Sequence, residues 1–152
     1  MKYRTVGELN HFIFKEAFIG DTLVSKDRFH LVLDNVTILP ENSCNRDIRD
    51  MRCNEMMFNI ENPRILSLVE EGYKMFDADG NLKETCSDVT IEGEAVFETI
   101  KGFREGSIYE LKKEDSTYTF YIDAGDRTYL LRVEGTEDME EWDRFLNKEI
   151  CL

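Results

Sequence analysis

The residues of this chain that could do chemistry fall mainly into two stretches. In the first, Asp77-Ala78-Asp79-Gly80-Asn81, carboxylates and an amide oxygen alternate, and Asp88 stands twelfth counting from Asp77. Hard oxygen ligands in that rhythm suit calcium. The helix-loop-helix calcium loop, however, needs glycine at its sixth position and a bidentate glutamate at its twelfth. Here Gly80 is fourth, Leu82 is sixth and the twelfth residue is the shorter Asp88. Asp-Gly independently favours a tight turn, so the expectation is a hairpin tip.

The second stretch, residues 41–54, is polar, holds Cys44 and Cys53, and has little core-forming pattern. After Asn45, the arginines Arg46, Arg49 and Arg52 recur at every third position with Asp47 and Asp50 between them. On a helical turn they would share one side, although a self-compensating charge pattern needs no ligand. It reads as a long loop or a single helical turn, and it is, with the Asp77, Asp79 and Asn81 turn, the place to look for a partner or ligand contact. Cys44 and Cys53 with His30 carry the atoms of a zinc site or a thiol nucleophile. Close Cys-x₂₋₄-Cys spacing is missing, as is any local oxyanion signature. No metal and no cofactor is expected.

Neither G-x-G-x-x-G nor a phosphate-binding G-x-x-x-x-G-K-[ST] occurs, which removes the main sequence support for nucleotide chemistry. Catalytic carboxylates are defined by separation and burial, and 32 acidic residues supply no such selection. Against 19 basic residues they leave a net charge of −13, spread along the chain. Nucleic acid and anionic membrane surfaces are disfavoured partners, whereas a basic protein surface is compatible. Apolar runs stay short of the ~20 residues a membrane span needs. Four dispersed cysteines and no export signal point to reduced thiols in a cytoplasm.

The 152 residues suit a single domain over 1–152, and 41% hydrophobic residues suffice for a core. Its most legible part is 107–146, which reads as three short strands joined by tight turns and closed by an acid-started helix. There Tyr118, Phe120 and Ile122, then Tyr129, Leu131 and Val133, alternate with polar residues around an Ala124-Gly125-Asp126-Arg127 turn, predicting a meander. An earlier hairpin is expected where Phe29, Leu31 and Leu33 alternate, with Asn35 changing the phase before Val36 and Ile38. Residues 62–73 fit two helical turns after Asn62-Pro63 or a strand from Ile65. Thr5 to Glu8 matches a capping box for a short helix or an irregular lead-in to a strand.

Residues 94–103 read as a helix through Val96, Ile100 and Phe103. A second helix is expected over 138–146, where Asp138 and Glu141 resemble a capping box and Met139, Trp142, Phe145 and Leu146 form a stripe. The predicted fold is therefore α+β: a largely antiparallel, curved, hairpin-built sheet covered by two or three short helices, one of them C-terminal. A partly closed barrel is the alternative. For function, charge and the lack of catalytic motifs favour a non-enzymatic interaction or inhibitor-like module. The competing expectation is a small-molecule-binding domain or enzyme with a pocket between sheet and helices, the 44–53 loop at its rim.

Overall fold

The computed structural model describes residues 1–147. Strand β1 (Tyr3–Val6) leads through a 3-10 turn at Leu9–His11 into β2 (Phe12–Ile13). Strands β3 (Ala17–Ser25) and β4 (Arg28–Asp34) form the expected first hairpin. At Asn35 the backbone turns left-handed (φ 61°), and the chain continues as β5 (Val36–Ile38) in a different sheet. A long loop then reaches β6 (Met51–Cys53), followed by β7 (Met56–Ile60), β8 (Arg64–Glu70), β9 (Tyr73–Phe76), β10 (Leu82–Cys86) and β11 (Val89–Ile91). One α-helix among the described residues, α1 (Ala95–Lys101), precedes the meander of β12 (Ser107–Glu114), β13 (Thr117–Ala124) and β14 (Arg127–Glu134). The described chain ends with β15 (Asp138–Trp142) and β16 (Leu146–Asn147). None of its helices is long and apolar enough to cross a membrane.

All pairings are antiparallel. The main sheet has ten strands in the order β1-β15-β7-β4-β3-β12-β13-β14-β8-β11; β16-β6-β5-β2 form a second sheet, and β9 and β10 pair as a separate hairpin. Alternation decides which face is inside. Tyr118, Phe120 and Ile122 of β13 are buried, and so are Leu131 and Val133 of β14 and Phe29, Leu31 and Leu33 of β4.

The sheet is rolled, and side-chain contacts show how far. Phe58 of β7 and Phe120 of β13 stand four strand positions apart, about 19 Å in a flat sheet at ~4.8 Å per step, yet their rings meet edge to face at 5.9 Å. Phe29 of β4 reaches the same Phe120 at 5.4 Å. Two inner faces thus fill one another with aromatic rings, the arrangement that gives large apolar burial without a central void. Edge strands β1 and β11 do not pair with each other, so the roll is incomplete.

The α+β expectation with several helices is overturned. Residues 138–146 are not a helix: Asp138, Glu140 and Trp142 are buried in strand β15, while Met139 and Glu141 are half-buried between them. That is period two, and β15 occupies a slot between β1 and β7 with backbone partners on both sides. Pairing with two distant strands outweighs a local helix preference that is worth only tenths of a kcal/mol per residue. Within 62–73 the strand alternative holds over Arg64–Glu70, where β8 pairs with β14 and β11. Thr5 sits in β1 rather than capping a helix. The expected 94–103 helix exists as α1, and Ile100 and Phe103 are buried.

Candidate functional site

The 41–54 stretch is a braced loop. Asn45, 8% exposed, turns its side-chain amide inward, where Nδ2 donates among the carbonyls of Ile38, Leu39 and Arg49, each at 3.2 Å. Its Oδ1 accepts from the Asp47 N–H at 2.9 Å. One buried amide therefore ties the loop's entry, apex and exit together, replacing the sheet bonds that the backbone has given up. Asn42, 2% exposed, accepts from the Cys44 N–H, while Ser43 donates from its N–H and hydroxyl to Glu8. Burial raises the Glu8 pKa, but the Ser43 and His11 hydrogen bonds more than offset this and leave its carboxyl below the usual range.

Outside this bracing, Ile48 is 93% exposed. Asp47 accepts from the Arg49 N–H and guanidinium, and the Arg49 hydrogen bond holds the Asp47 pKa below its ordinary value. Arg46 and Asp50 are exposed beside them, and Arg52 lies in β6 opposite Thr37. Cys44, Asn45, Arg46, Asp47 and Ile48 line one wall of an open hollow of about 780 Å³ whose other wall is Tyr3, Met51 and Phe145. Of the predicted loop residues, Cys44, Asn45, Arg46 and Asp47 are thus brought together around a concavity with the apolar Ile48, while Arg49, Asp50 and Arg52 lie outside it.

Asp77, Asp79 and Asn81 are elsewhere, on the tip of the β9–β10 hairpin. Asp77 Oδ1 accepts from the N–H groups of Asp79 and Asn81, both at 2.9 Å, and Gly80 has φ +84°. The carboxylate is spent on its own turn, and the Asn81 N–H hydrogen bond lowers its pKa. Among the described residues no group of three or more His, Cys, Asp or Glu side chains gathers to hold a metal ion. Cys53 is buried, which pushes its thiol up to about 12 and keeps it protonated at neutral pH. His30 contacts Arg28 instead, and burial followed by that charge lowers its pKa.

Two features escaped the sequence reading. The first is a buried acid pair on the inner face of β15, Asp138 and Glu140, both 0% exposed. The Tyr118 hydroxyl donates to Asp138 Oδ1 at 2.9 Å, and the Thr5 hydroxyl donates to Glu140 Oε1 at 3.1 Å. Burial, then the adjacent Asp138 carboxyl, raises the Glu140 pKa far above the carboxylate range. Glu140 therefore holds its proton at neutral pH, because a second charge beside Asp138 and away from water is too costly.

The second is a cleft of about 630 Å³ between the segment running from Leu9 to Lys15 and the far half of β12. It is not the pocket expected between sheet and helices, and the 44–53 loop does not line it. The chain matches no protein-family model, no curated protein and no solved structure.

Proposed function

We propose that this chain is a non-enzymatic interaction module of the inhibitor-like kind, presenting the 42–50 loop to a protein partner. The observation that carries this reading is the pairing of Asn45 with Ile48: a buried amide fixes three backbone carbonyls beneath a side chain left almost wholly in solvent. A lone exposed isoleucine on a mobile loop means little. On a loop already held in one conformation it is an anchor, since little ordering entropy remains to be lost on docking. The partner supplies an apolar socket for Ile48, and the hollow beside it, floored by Met51, Tyr3 and Phe145, receives a projecting side chain in return. A net charge of −13 speeds encounter with a basic protein.

The test is photocrosslinking with benzoylphenylalanine in place of Ile48, in the cells that make the protein. One discrete adduct should form, excess wild-type protein should compete it away, and Ile48→Asp protein should fail to compete. Equal competition by the two would refute the loop as the recognition element.

A further inference from the structure

We propose that the cleft beside β12 binds an amphipathic anion, an apolar chain carrying a carboxylate. The cleft exists because a sheet seam splits. β12 pairs with β3 only at Ser107↔Phe18 and Ile108↔Ala17, with a last link from the Glu16 N–H to the Ile108 carbonyl at 2.9 Å. Beyond that point two devices part the strands. Glu16 takes a left-handed backbone (φ 70°) that swings the Phe12–Lys15 segment away, and a bulge at Tyr109 bends β12. β2 then pairs with β5 rather than with β12.

The cleft runs along the edge of the core, where Phe12 and Phe14 stay largely buried. Phe12 and Phe14 form one wall and Leu111 the other, with Tyr109, 55% exposed, at the mouth. A volume of about 630 Å³ lies within the ~300–1,000 Å³ of small-molecule sites, which favour the mouths of rolled sheets.

Charge selects the occupant. Glu110 on the wall is answered by Lys112 at 3.5 Å. Asp138 at the base accepts from Tyr118 and is answered by Lys113, whose Nζ lies 3.9 Å away. Lys15 is exposed, lies over the Tyr109 ring at 5.5 Å and makes no ion pair among the described residues. In a strongly acidic protein, the uncompensated charge at this mouth is positive. An aliphatic chain against Phe12, Phe14 and Leu111 with its carboxylate at Lys15 satisfies both requirements.

Decanoate, decanol and decyltrimethylammonium, each below its micelle concentration, are titrated into the full chain by calorimetry. The expected result is one saturable site for decanoate, at least tenfold tighter than for the other two, with the margin abolished by Lys15→Glu. Because Lys15 is exposed, that substitution removes no buried contact. No saturable decanoate binding, binding of the alcohol or the cation as tight as the acid, or an unchanged margin in Lys15→Glu would each overturn the proposal.

Discussion

Tyr118 donates its hydroxyl to Asp138 Oδ1 at 2.9 Å from a strand five positions away in the same sheet. In a flat sheet those strands would lie about 24 Å apart. This hydrogen bond, beneath Lys113 and beside the Glu140 proton, is where the rolled sheet is tied across its interior.

Removing the hydroxyl alone should loosen that tie. Tyr118→Phe leaves the ring packing in place but strips a buried carboxyl of its donor. An unfolding free energy lower by about 1–3 kcal/mol is expected from urea denaturation. A loss below ~0.5 kcal/mol would mean that the interaction contributes little to the roll.

Glu140 dictates the direction of the pH dependence. Its folded-state pKa is raised, so the folded protein keeps a proton that the unfolded chain releases above about pH 4.3. The stabilisation is complete below that unfolded value and is lost as pH rises towards and through the folded one. Urea midpoints should therefore fall between pH 5 and pH 8. Glu140→Gln, uncharged at every pH and able to donate to Asp138, should flatten that slope and be the more stable protein at pH 8. A wild-type midpoint that rises over this range, with the same slope in the variant, would contradict a Glu140 that stays protonated in the fold.

The loop's two key residues should separate cleanly. Asn45→Ala strips the buried Ile38 carbonyl, and the part-buried Leu39 and Arg49 carbonyls, of the amide and should cost about 1–3 kcal/mol. Ile48→Ala removes a side chain that packs on nothing and should change stability by less than ~0.5 kcal/mol. Denaturant midpoints of the two variants check both, and comparable losses would mean that Ile48 is structural.

Calcium should leave the melting temperature unchanged, because Asp77 already accepts from the Asp79 and Asn81 N–H groups. A saturable rise in melting temperature with calcium would show that the turn opens to take the ion.

The meander was readable from sequence because its inner residues are apolar at period two: Tyr118 and Phe120 face Val133 and Leu131 across the ladder. Asn35 likewise announced the phase change between β4 and β5. β15 was not readable. Its inward residues, Asp138, Glu140 and Trp142, include two acids, and acids at the start of an apolar stripe imitate a helix N-terminus. What makes it a strand is pairing with Ile60 and Val6, far off in the chain.

Residues 41–54 do form the long loop that their polar composition predicts, up to Met51 where β6 begins. Charge spacing points to the arginines, whereas the bracing rests on Asn42 and Asn45 and the exposed apolar side chain is Ile48. The cleft had no readable signal, since it depends on a left-handed Glu16, a residue type that rarely marks such a position.

Rigid presentation of Ile48 can be measured without any partner, from ¹⁵N relaxation of the free protein. Order parameters of residues 43–49 should match those of β4 and β13, near ~0.85, the value of ordered backbone. Values below ~0.6 across that loop would show a flexible segment and contradict its role as a pre-formed recognition element.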